Sequence, residues 1–222
     1  MLNLIRLELI KFNLWPVIKG AFIALLIMLG FVTALEFTSY DDAFRFIDIL
    51  VKATFMIFGA SLISKFIIQE FQEKTMTVMF MYPISRKKMM IAKLFIIMTF
   101  TFLSIVISEI VIFSFFYILN VYESVITERL TMTMISQNAS KLLMNAIAAT
   151  GISLIPLYFG MKKYSERTTI VSAVIIMSLL TSGLKVHFSL YDIIFIPIIL
   201  ACAGLLIAYV VVRKIEQVDL FK

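Results

Sequence analysis

Six long apolar runs must be accommodated before anything else in this sequence: residues 17–35, 46–68, 94–119, 142–160, 168–183 and 193–212. A helix rises about 1.5 Å per residue, so about 20 apolar residues span a hydrocarbon core. Five of the runs approach or exceed that length, and 168–183 is the shortest. In lipid each backbone polar group must find a partner, which leaves helices or closed barrels. A barrel needs short segments of alternating polarity, and these runs are continuous. Composition enters here: 62% of residues are hydrophobic, against roughly 45–50% in a soluble domain. A soluble chain of this size cannot bury that much apolar surface in one core. The expected architecture is therefore an all-α membrane protein. It is a single transmembrane domain over residues 1–222, a bundle of six transmembrane helices with no soluble domain, internal repeat or low-complexity linker.

The distribution of Lys and Arg sets the expected orientation. Arg6, Lys11, Lys19, Lys65, Lys74, the cluster Arg86 to Lys93, Lys162, Lys163, Arg167, Arg213, Lys214 and Lys222 fall on one side of the runs. Arg45, Lys52, Arg129, Lys141 and Lys185 fall on the other. The positive-inside rule then places both termini in the cytoplasm, with an even number of crossings. The same rule accounts for the net charge of +6 without nucleic acid, and no nucleic-acid-binding signature accompanies the charge.

Residues 1–16 precede the first run. Leu2, Ile5, Leu9 and Phe12 recur at helical spacing, while Arg6, Glu8, Lys11 and Asn13 lie off that face. Trp15 and Pro16 follow, a pair suited to a membrane entry. The pattern predicts an amphipathic helix lying in the interface, with a simple extension of the first span as the other option.

The connection between the second and third runs carries the most specific signal. Glu70, Glu73, Lys74 and Thr75 are followed by the apolar stretch Val78, Met79, Phe80, Met81, Tyr82, then Pro83, Ile84, Ser85, Arg86 and, further on, Lys93. An apolar ridge among charges outside the bilayer calls for a partner surface. This arrangement resembles the permease (transmembrane) subunits of type-2 ABC exporters, with Lys74 where many members have Gly. The resemblance implies that residues 72–82 form a coupling helix docked on a cytoplasmic ABC ATPase subunit. Glu70, Glu73, Lys74, Thr75, Val78, Met79, Tyr82, Pro83 and Arg86 would then be the ATPase-coupling residues. It also implies a second permease subunit, in a homo- or heterodimer, and ATP and Mg bound by the partner ATPase rather than by this chain. Small bacterial permeases of this kind often export peptides, staphylococcal exporters of phenol-soluble modulins among them. The chain has no G-x-x-x-x-G-K-[ST] phosphate loop, so no ATPase site of its own is expected.

Charges within the runs are the other candidates. Glu109 lies about 22 Å along the third run from Leu94, and Lys52 about 25 Å from Gln69 along the second. The two therefore share a depth, and Asp48 is one turn from Lys52. Such charges face a partner or a wet cavity, which leaves two options open: an internal ion pair, or a path for cationic or amphipathic cargo. Ser104 and Ser108 suit helix packing. His187 stands alone without metal-ligand spacing, so neither a metal nor a cofactor is expected. Cys202 is the one cysteine, which precludes an internal disulfide. Pro156 and Pro197 fall inside apolar runs and predict bends.

Three other functions compete with export. An intramembrane protease would need Ser–His, paired Asp or H-E-x-x-H within the bilayer, and the sequence supplies none of these. An ion-gradient-driven secondary transporter would use midplane charges such as Glu109 and Lys52. A non-transport membrane immunity protein is the third.

Overall fold

Chains in lipid satisfy their backbones locally, and every regular element among the described residues is helical. The computed structural model describes residues 8–9, 15–35, 37, 39–72, 86–123, 132–181 and 195–214. Helix α1 is Trp15–Thr33. Helix α2, Tyr40–Ile63, passes through a π-helical turn, Ser64–Ile68, into the short α3, Gln69–Gln72. Helix α4 is Arg86–Glu123, α5 Met132–Ile152, α6 Pro156–Lys163, α7 Glu166–Thr181 and α8 Phe195–Lys214.

Among the described residues, five segments are long and apolar enough to cross a bilayer: Trp15–Thr33, Tyr40–Gln72, Lys87–Tyr122, Asn138–Lys163 and Pro197–Lys214. The run 168–183 forms α7, 16 residues long and so about 24 Å. It falls short of the other five, although it runs from one end of the bundle to the other. Several helices exceed the apolar runs that announce them. Helix α2 begins at Tyr40 rather than at residue 46, because Ser39 caps it and Asp41 and Asp42 occupy its first turn. The Ser39 side chain accepts a hydrogen bond from the Asp41 N–H at 3.3 Å. An oxygen cap and acidic residues both favour a helix N-terminus.

The two prolines act differently from a mid-helix bend. Before Pro156 the α ladder tightens: Leu154 N–H bonds to the Gly151 carbonyl at 3.2 Å and Ile155 N–H to Ile152 at 3.0 Å. Proline lacks an N–H and its ring crowds the carbonyl four residues back, so α5 ends and α6 begins with Pro156 in its first turn. Pro197 lies in the first turn of α8, where N–H groups have no helical partner anyway.

Burial follows helical periodicity. Helix α2 buries Tyr40, Ala43, Phe44, Ile47, Val51, Phe55 and Met56 along one stripe, while α1 buries only Val17, Met28 and Val32 and turns Phe22, Ile23, Ile27 and Phe31 outward. In a bilayer that outward surface meets lipid. The interior forms two clusters. One joins Met28, Tyr40, Phe44, Ile112, Phe116, Ala149 and Leu180. The other joins Val17, Ile63, Phe66, Phe71, Met90, Ile97, Leu157 and Val212. They occupy opposite ends of the bundle, because α2 and α4 contribute opposite termini to each. Helices α5 and α8 pack through small residues. A Cβ on Gly204 would collide with the Gly151 carbonyl oxygen, and one on Gly151 would lie 2.9 Å from the Ala201 Cα. Such backbone contact is how membrane helices associate where no hydrophobic force acts between them.

Candidate functional site

Each core cluster has a set of buried charges beside it, and α2 with its extension and α4 contribute to both sets. The sets lie about 25 Å apart along these helices.

The first set lies beside Val51 and Ile105, deep in the bundle. Lys52 and Asp48, one turn apart on α2, form an ion pair at 2.5 Å. The Asn145 side-chain N–H of α5 donates to Asp48 at 3.1 Å. Glu109, buried on α4, is near enough to act electrostatically on both Asp48 and Lys52. The candidates Asp48, Lys52 and Glu109 thus come together, but the tightest pair is Asp48–Lys52 rather than Lys52–Glu109. The i,i+4 spacing brings Asp48 to Lys52 without any rearrangement between helices. One oxygen of Asp48 and one of Glu109 accept no hydrogen bond among the described residues. Burial without a partner is costly in lipid, so this set retains unused acceptor capacity. Asn145 was not singled out from sequence, although a polar amide inside the apolar run 142–160 was the available signal.

The second set closes the end where α3 finishes and α4 begins. Lys93 is 1% exposed and bonded to the Glu70 carboxylate. It also donates to the Phe66 carbonyl at 3.2 Å and lies 3.9 Å from Glu8. The π-helical turn matters here. It widens the hydrogen-bond ladder, and the carbonyl that Lys93 takes belongs to that turn. Glu70, one of the coupling candidates, is buried against Lys93. Glu8 is likewise buried, whereas the amphipathic reading placed it on the polar face, and Leu9 of the apolar face is exposed. The buried cation of α4 accompanies the inversion: Lys93, 3.9 Å away, sets an opposite charge beside the buried Glu8 carboxylate.

A second tie holds the same end. The Gln72 side-chain N–H donates to the Tyr164 carbonyl at 2.5 Å, and the Phe71 and Tyr164 rings lie 5.9 Å apart. Tyr164 caps α6 in the left-handed region at φ 45°, a conformation uncommon for a bulky residue. Its backbone turns α6 back into α7 and aims the carbonyl at Gln72. Nothing in the sequence flags this position, because Gly is the usual residue there.

Of the remaining coupling candidates, Glu73, Lys74, Thr75, Val78, Met79, Tyr82 and Pro83 lie outside the described residues. Arg86 is described only as the first residue of α4. Residues 1–16 are described at Glu8, Leu9, Trp15 and Pro16 alone, and His187 is outside. Among the described residues no group of His, Cys, Asp and Glu could hold a metal ion.

Long apolar helices, a lipid-facing exterior and buried charges tied across helices define a multi-pass helical membrane protein. The chain is 41% identical, over 228 residues, to the uncharacterized protein YcbO of Bacillus subtilis (strain 168), an alignment covering 98% of this chain and all of its relative. It belongs to the family of that bacterial protein. No family model matches the chain, and no solved structure matches it significantly.

Proposed function

We propose that this chain is the permease subunit of an ATP-driven exporter of the type-2 ABC class, moving peptides or other amphipathic cargo out of a bacterial cell. In this reading α7 is the sixth crossing, and both termini and residues 73–85 face the cytoplasm. A separate ABC ATPase supplies ATP hydrolysis, a second permease subunit completes the path, and the chain itself performs no chemistry. The observation that carries the reading is the mounting of residues 73–85. This short connection joins the two longest apolar helices. Its stems are fixed to each other by Lys93 and Glu70, and to the α6–α7 corner by Gln72 and Tyr164. A connection held by buried charge at its base can pass a push into the helices instead of absorbing it in its own bending. The motor biases the bundle only through contacts that differ between states.

The test is co-purification of an ATPase with the tagged chain. Met79→Asp combined with Tyr82→Asp is expected to abolish that association while the protein still inserts. An ATPase that stays bound to this variant would remove the basis for placing the contact there.

A second reading, a secondary transporter driven by an ion gradient, is favoured by Asp48, Lys52 and Glu109. Transport by reconstituted vesicles separates the two. Dependence on added ATPase and ATP supports the exporter, and dependence on an imposed ion gradient alone supports the alternative.

A further inference from the structure

Toward the Lys93 end, helices α4 and α8 leave a slot of about 630 Å³ between them. Ligand cavities run from about 300 to 1,000 Å³, so the slot has the volume of a site. Its walls are apolar, with Phe95 and Met98 on α4 facing Leu205 and Tyr209 on α8, and its mouth carries Lys87 and Arg213. Among the described residues no acidic side chain lines it. Phe95, Leu205 and Tyr209 are exposed, so the slot opens sideways into the hydrocarbon rather than to water.

The antiparallel course of the two helices creates this polarity. Lys87 lies at the start of α4 and Arg213 at the end of α8, so both cations arrive at one rim while about three turns of α4 and two of α8 extend inward from them. Tyr209 stands one turn inside Arg213, where a ring in hydrocarbon with its hydroxyl toward the headgroups is favoured. A cationic mouth over an apolar slot between membrane helices is suited to one molecule class: a lipid with an anionic headgroup. A zwitterionic lipid offers the same chains, but its own cation opposes Lys87 and Arg213.

We infer that the α4–α8 slot binds an anionic phospholipid of the surrounding bilayer, its phosphate against Lys87 and Arg213 and one acyl chain along Phe95, Met98 and Leu205. The inference stands on the slot alone and does not depend on the exporter reading. Occupied, the lipid would brace α8 against the start of α4, a turn and a half from Lys93.

The test is native mass spectrometry of the full chain released from micelles containing equal amounts of phosphatidylglycerol and phosphatidylcholine. The wild type is expected to retain one phosphatidylglycerol preferentially. Lys87→Gln with Arg213→Gln should lower that preference about thirtyfold, given the typical attraction of each basic residue for an anionic membrane. Lys88→Gln with Lys214→Gln, which removes exposed charges that do not line the slot, should leave it unchanged and controls for folding. Leu205→Trp, filling the slot, should reduce retention of both lipids. Equal retention of the two lipids by the wild type, or a preference that survives loss of both Lys87 and Arg213, overturns the inference. So does a dimer peak without lipid that Leu205→Trp dissociates, since a second copy would then occupy the slot.

Discussion

Both buried sets place one lysine with two carboxylates, yet they join different parts of the molecule. Deep in the bundle, Lys52 meets Asp48 of its own helix, and Asn145 and Glu109 come in from α5 and α4. At the loop end, Lys93 is tied to segments outside its own helix. It reaches Glu70, the Phe66 carbonyl and Glu8, all from other parts of the chain. Equal charge inventories therefore do different work. The deep set is centred on an ion pair within one helix. The Lys93 set holds three segments together at the base of residues 73–85. The second therefore resembles a rivet, and the first does not.

The comparison can be broken most decisively at Lys93. Lys93→Met leaves Glu70 and Glu8 buried without their cation and is expected to cost about 3–5 kcal/mol, as breaking a buried pair does. Unfolding in mixed micelles measures it, and adding Glu70→Leu should recover part of the loss. A cost below that of the next variant would show that Lys93 is no rivet.

Lys52→Met also breaks a buried pair but should cost less, about 3 kcal/mol at the low end of that range, because Asp48 keeps the Asn145 donor. The same unfolding assay reads the difference, and equal costs at the two lysines would erase the distinction drawn between the sets.

Gln72→Ala removes the hydrogen bond to Tyr164 and should cost about 1 kcal/mol. Its more informative effect would be local: hydrogen exchange should accelerate in α3 and at the α6–α7 corner while α5 stays protected.

The smallest stability change is expected for Glu109→Gln, under about 1 kcal/mol, since the amide preserves shape and removes a charge with incomplete pairing. Export in a cell-based assay should nevertheless fall. Normal export by a well-folded Glu109→Gln protein would reduce Glu109 to packing.

Much of the deep set could be read by counting residues. Helix rise alone put Lys52 and Glu109 at one depth, and helical spacing put Asp48 beside Lys52. Depth does not give rotation about the helix axis, so which carboxylate takes the lysine was open. The Lys93 set was less legible. Glu70 and Lys93 both belong to the loop motif, but their contact requires α3 to follow a π-helical turn, and Glu8 requires a segment 85 positions away in sequence. Periodicity assigned Glu8 to water because it has no knowledge of a buried cation elsewhere.

The sequence by itself determined that the chain is helical and lies in a membrane, because lipid removes every other way of satisfying a backbone and about 20 apolar residues suffice to cross it. It also marked Pro156 as a disturbance of its run, since a missing N–H is a local fact, although it pointed to a bend where the structure ends one helix and starts another. The tertiary structure alone decided which charges became partners, how closely Gly151 and Gly204 approach, and that Tyr164 adopts a left-handed turn to reach Gln72. Those outcomes depend on helix rotation and on neighbours far away in the chain, and neither composition nor period carries that information.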